Sequence, residues 1–243
     1  MAYFLTADGG TESLRARIYD LSGKELGSVA VAYKSDFSSG ARAEQDPADW
    51  WANFVKASRG AIADAGINPS EIDAICYATT CCSVVALDRD GQALRPALIW
   101  MDVRANKEAD SVLATGDAAL CLNGGGQGPV SAEWMIPKAL WLKRNEPDVF
   151  DKAYRICEYQ DYLTYHLTGE WAASLDNVGL RWHYRNDAGG WPVSLLASLG
   201  LEALLEKWPL RVVAPGDVIG TLIQSAATEL GLKPSVKVVQ GGA

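Results

Sequence analysis

Asp8-Gly9-Gly10-Thr11, followed closely by Ser13 and Arg15, brings together residue types that can meet a phosphate group. Two adjacent glycines permit a backbone path that side chains would block, so amide N–H groups can face an anion. Thr11 and Ser13 add hydroxyl donors. Asp8 stands at the end of an apolar run, where a carboxylate could hold a hydrated magnesium ion. The same residues also suit an ordinary hairpin whose Gly-Gly supplies positive φ, and the turn alone leaves both readings open. Rival chemistries are few. Gly124-Gly125-Gly126-Gln127-Gly128 lacks the GKS or GKT tail of a P-loop. Five cysteines without a CxxC spacing, and only His166 and His183, argue against a zinc site. The absence of a Ser/His/Asp order and of a nucleophile elbow argues against covalent hydrolysis.

The elements that must position the turn follow from periodicity. Tyr3–Ala7, Leu14–Asp20 and Glu25–Tyr33 read as three strands of an antiparallel meander. Pro47–Ala65 reads as a long helix, with Asp46 as N-cap, Trp50, Phe54 and Ile62 at helical spacing, and Gly66 as terminator. Ile72–Tyr77 and Val84–Leu87 are short apolar runs of the kind that form buried strands, and Pro96–Trp100 continues extended. Helices are expected over 105–114, 131–145, 159–167, 193–199, 202–207 and 224–230, with strands over 154–157 and 236–239. Three antiparallel strands followed by alternating helices and strands predict an α/β domain: a mixed sheet with helices on both faces.

With 49% hydrophobic content, 243 residues can bury a substantial core. A net charge of −8 argues against a nucleic-acid partner and an anionic membrane surface. No apolar run approaches the roughly 20 residues that span a bilayer, and the N-terminus lacks a basic n-region. A reduced, cytoplasmic protein is the expectation. Most of the nine tryptophans are expected in the core or at interfaces, some of them free to stack on a sugar ring.

Several stretches together resemble the FGGY carbohydrate kinases. They are Asp8–Arg15, Ala78–Gly91, Leu94–Arg104, the Pro137-Lys138-Ala-Leu-Trp-Leu run and Asp161–Gly169. They occur in family order over the whole chain, and Glu158-Tyr-Gln-Asp161 is closer to the ribulokinase and xylulokinase branch than to glycerol kinases. The resemblance implies an actin-like, ribonuclease-H-like fold of two domains. Residues 1–243 would be the first, sugar-binding domain, and MgATP would phosphorylate a sugar or polyol in the cleft.

On that resemblance, Asp8, Gly9, Gly10, Thr11, Ser13 and Arg15 form the first phosphate loop, and Asp8 acts on magnesium directly or through water. Thr80, Cys81 and Cys82 line the sugar site, or else form a well-packed strand end whose thiols, that of Cys82 above all, are buried and inert. Trp100, Asp102 and Arg104 match a W-x-D-x-R segment in which Asp102 either accepts sugar hydroxyls or forms a buried pair with Arg104. Glu133 and Arg181 are further sugar contacts, whereas Asp161 caps its helix. The family's general-base aspartate is expected immediately after Ala243, with the ATP-binding domain beyond it. The expected activity is phosphorylation of a ketopentose, ribulose or xylulose. A non-catalytic sugar-binding module on the same fold is the alternative, and an actin- or Hsp70-like ATPase a third. A small sugar is the implied partner, and a homodimer is compatible.

Overall fold

The computed structural model describes residues 2–37 and 40–242. Three strands open it: β1 (Tyr3–Gly9), β2 (Ser13–Asp20) and β3 (Glu25–Ala32) pair antiparallel, with Asp8 opposite Arg15. Their side chains alternate as a half-covered sheet requires. Leu5, Ala7, Leu14, Ala16 and Ile18 are buried, whereas Thr6, Asp8, Arg15 and Arg17 on the alternate positions are half-buried or exposed.

After the short β4 (Glu44–Gln45), α1 (Pro47–Ala65) begins where Asp46 accepts the Ala48 N–H at 2.9 Å. It ends on Gly66 at φ 63°, a left-handed conformation that glycine adopts without a Cβ penalty. The helix lays Trp50, Phe54, Ala57 and Ala61 on β2 and β3. β5 (Ile72–Thr79) then runs parallel beside β1, with Gly9 opposite Thr79.

The middle of the chain supplies β6 (Val84–Leu87), β7 (Ala97–Leu98), α2 (Asn106–Leu113), α3 (Met135–Asn145), α4 (Pro147–Lys152), β8 (Arg155–Glu158) and α5 (Tyr159–Thr168). β9 (Ala172–Ser174), α6 (Leu175–Arg181), α7 (Val193–Ser198), α8 (Leu204–Lys207), β10 (Arg211–Val213), β11 (Val218–Thr221), α9 (Gln224–Leu230) and β12 (Lys237–Gln240) follow. α3 starts four residues later than the periodicity predicts. Pro137 is the reason, because its ring and missing N–H are tolerated only in a first turn, so residues 131–134 form a separate turn ahead of it.

The main sheet runs β11-β12-β5-β1-β2-β3, and β1, β5 and β12 are its parallel strands. A second sheet runs β4-β7-β6-β8, and β9 pairs with β10. Helices flank the two larger sheets unequally. α1, α5 and α9 pack against one another on one face of the main sheet. The smaller sheet is covered on both: Val85 and Leu87 of β6 join the core with α1 and α5, while Val84 and Ala86 join a second core with α2 and α3. The three parallel strands end together, at Gly9, Thr79 and Gln240. Ligands of α/β sheets bind beyond such carboxyl ends.

Candidate functional site

The turn between β1 and β2 is closed by the Gly10 N–H donating to the Ser13 carbonyl at 3.0 Å, so that amide is not free for an anion. Neither Gly9 nor Gly10 is left-handed. Their smallness serves another purpose: a Cβ on Gly9 would sit 2.7 Å from the Tyr159 ring, and one on Gly10 would crowd the Ser13 carbonyl at 3.3 Å. Gln45 holds the turn from behind, donating to the Thr11 carbonyl at 2.8 Å while accepting from the Trp50 indole. Asp8, Thr11, Ser13 and Arg15 line an open cavity of about 330 Å³. The Asp8 carboxylate is half-exposed, with Arg15 Nη1 3.5 Å away, so it keeps oxygens available to a ligand.

A second cavity, of about 410 Å³, adjoins the first through Thr11. Thr80, Cys81 and Cys82 form one wall at the end of β5, Trp100 another, and Glu133 and Arg181 face in from the turn before α3 and the end of α6. Its volume is in the range of small-ligand sites. The Trp100 indole donates to Thr11 Oγ1 at 2.9 Å, which leaves the threonine's own proton to be donated elsewhere.

Cys82 is the strained point of this wall, a non-glycine residue at φ 62°. Both its backbone polar groups are held by buried ionisable side chains. Its N–H donates to Glu158 Oε2 at 2.7 Å, and its carbonyl accepts from Lys138 Nζ at 2.6 Å. Lys138 also donates to the Leu98 and Ile99 carbonyls, at 3.2 and 2.7 Å, and so ties the Cys82 turn to the chain leading into Trp100. Burial lowers the Lys138 pKa to about 8, which leaves it charged at neutral pH. Burial raises the Glu158 pKa, opposed by the Trp182 indole and Cys82 N–H bonds to its oxygens.

The start of α5 reaches Cys82, Gly9 and the ends of β5 and β12. Glu158 holds Cys82; Tyr159 backs Gly9 and stacks on Trp50 with ring centroids 3.9 Å apart. Gln160 Nε2 donates to the Tyr77, Gly241 and Gly242 carbonyls at 3.3, 3.0 and 3.2 Å. Asp161 Oδ2 accepts the Glu158 N–H at 2.9 Å, the capping role expected from the sequence.

The structure therefore brings together Thr11, Thr80, Cys81, Cys82, Glu133 and Arg181, with the Asp8–Arg15 loop alongside. It does not bring Asp102 and Arg104 there. Asp102 is fully buried, and its oxygens accept from the Ala43 N–H at 2.8 Å and from Arg104 Nε and Nη2. Arg104 also bridges to Glu44 and stacks on Trp141. Of the two readings open for Asp102, the geometry is that of the buried pair. Lys138 and Gln160 carried no functional role in the sequence reading. A lysine on the apolar side of a helix beginning at Met135 was the available signal for the first. Nothing local marked the second.

The mixed sheet β11-β12-β5-β1-β2-β3 with its flanking helices has the fold of the actin-like, ribonuclease-H-like class. Within that class, the chain belongs to the FGGY family of carbohydrate kinases, whose N-terminal-domain model matches residues 3–243. It is 30% identical to a human FGGY carbohydrate kinase domain-containing protein over 97% of this chain and 44% of that protein. It is 26% identical to the xylulose kinase of Staphylococcus xylosus over 100% of this chain and 49% of that one. The crystal structure of xylulose kinase from Rhodospirillum rubrum superposes with a TM-score of 0.84 at 26% identity, covering 99% of this chain and 48% of that one. The chain thus spans about half the length of the relatives it matches.

Proposed function

We propose that these residues form the acceptor half of an ATP-dependent sugar kinase that transfers the γ-phosphoryl group of MgATP to a hydroxyl of a ketopentose, xylulose or ribulose. The observation that carries the reading is the sharing of Thr11 between the phosphate-loop cavity and the cavity of Glu133 and Arg181. An acceptor hydroxyl in the second cavity would then face a phosphoryl group in the first. Xylulose kinases among the relatives support the choice of sugar.

In this reading Glu133 accepts hydrogen bonds from sugar hydroxyls, and Arg181 donates to sugar oxygens. Thr80 and Cys81 are small enough to leave the ring or chain of the sugar its space. Thr11 donates its free proton to an oxygen lying between the two cavities. The exposed Asp8 carboxylate fits a hydrated magnesium ion, which asks for one or two carboxylates and keeps several waters. Among the described residues no cluster of three or more His, Cys, Asp or Glu competes for a cation. When bound, the ion would neutralise charge on the phosphates. The proton of the attacking hydroxyl needs a base. The family resemblance puts that aspartate just past Ala243, on the run whose Gly241 and Gly242 carbonyls Gln160 holds.

Calorimetry of the 243-residue chain with D-xylulose, D-ribulose, hexuloses and polyols tests the acceptor site, and a coupled ADP-release assay tests turnover. Saturable ketopentose binding with negligible ADP release is expected, because general-base catalysis alone is worth about 10²–10⁴-fold. Clear turnover by residues 1–243 would overturn the placement of the base. Sugar binding without turnover in a chain continuing past Ala243 would favour a binding module instead.

A further inference from the structure

Cys82 sits at φ 62°, a conformation that a non-glycine residue leaves unless it is held. Two oppositely charged side chains hold it, both fully buried and each reaching residue 82 from a different element. Lys138 of α3 donates to its carbonyl at 2.6 Å, and Glu158, at the start of α5, accepts from its N–H at 2.7 Å. Among the described residues no ion pair joins the two directly. The two peptide groups that flank the Cys82 Cα stand between them.

Each charge also runs on to a second wall of the acceptor cavity. Lys138 Nζ donates to the Leu98 and Ile99 carbonyls, immediately ahead of Trp100. Glu158 Oε1 accepts from the Trp182 indole at 2.7 Å, one residue after Arg181. Neither charged side chain lines the cavity itself.

We infer that Lys138 and Glu158 are positioning residues of the acceptor site: together they clamp Cys82 in its left-handed conformation, and so fix the wall of Thr80, Cys81 and Cys82 relative to Trp100 and Arg181. On the sugar-binding reading proposed above, they act on the sugar only through the backbone they hold. Packing alone does not call for them, because well-packed apolar groups of similar volume often stabilise an interior as well as buried charges do. Three carbonyls converging on one ammonium instead fix where those carbonyls lie. Released from the clamp, the turn relaxes towards negative φ, and fewer molecules carry a wall ready for the sugar. The cost of holding a non-glycine residue there corresponds to about a tenfold shift in population. The apparent dissociation constant rises by the inverse of the competent fraction.

The test is calorimetry of D-xylulose binding to the 243-residue chain. Lys138→Met should raise the dissociation constant about tenfold. Adding Cys82→Gly to that variant should recover most of the loss, because glycine takes positive φ without being held. Leu142→Ala, which opens a cavity in the core one turn further along α3, is the control: it should lower stability and leave the dissociation constant in place. Should Lys138→Met not fold, Glu158→Gln keeps the shape of its side chain and removes the charge, and Cys82→Gly should recover its loss of affinity in the same way. An unchanged dissociation constant, a loss that Leu142→Ala reproduces, or no recovery with glycine overturns the proposal. If the unsubstituted chain does not bind D-xylulose, the sugar reading fails, and hydrogen exchange still decides the clamp. Lys138→Met should then quicken the Cys82 amide relative to those of β1, whereas Leu142→Ala should not; an equal response in both variants overturns it.

Discussion

A methyl group on Gly9 has nowhere to go. Its Cβ would lie 2.7 Å from Cε1 of Tyr159, and that ring cannot retreat because it is stacked on the fully buried Trp50. Overpacking of this kind costs about 1–3 kcal/mol, so Gly9→Ala should lower the denaturant midpoint accordingly. Tyr159→Leu in the same chain should return part of the loss, and no recovery would place the cost elsewhere. The Asp-Gly-Gly-Thr turn was legible as a candidate phosphate loop from residue types alone. Why it needs glycine was not, because the reason lies in a side chain far along the sequence. The Asp102–Arg104 pair shows the same limit: spacing brought the two together, but whether they face a ligand depended on Ala43 and Glu44.

At the scale of elements, the first turn of α5 fixes the ends of strands that are remote in sequence. Gln160→Ala removes an amide whose two N–H groups are shared among three main-chain carbonyls, each N–H worth about 1 kcal/mol in a typical buried bond. Hydrogen exchange should quicken at the amides of Gly241 and Gly242, while those of β1 and β2 keep their protection; uniform loss of protection would mark general destabilisation instead. Most long elements were readable beforehand, because α1, α5 and α9 carry caps and periodic apolar residues. The strands β9, β10 and β11 were not. At three or four residues each, they are too short for periodicity to show, and their pairing partners are set by tertiary packing.

For the molecule as a whole, acid is the expected weakness. His166 is packed among Trp51, Tyr162 and Tyr165, and burial lowers its pKa to about 4. Its unfolded value is near 6.5, so the unfolded chain binds more protons between those values, and stability falls as pH drops from 6.5 towards 4. His166→Leu should flatten that part of the stability curve in urea melts at pH 4, 5 and 6.5; an unchanged slope would put the acid sensitivity in the carboxylates. The main sheet carries a different consequence, one of timing. β5 lies between β1, made early, and β12, which pairs Lys237 with Ala74 and Gln240 with Tyr77. Until residue 240 has left the ribosome, that side of β5 is a bare edge, open to pairing with another nascent chain. When β12 arrives, Gly241 settles against the Tyr77 carbonyl, where any side chain would collide. Protection from self-association and completion of the strand ends around the ligand cavities therefore come in the same step, the joining of β12 to the sheet.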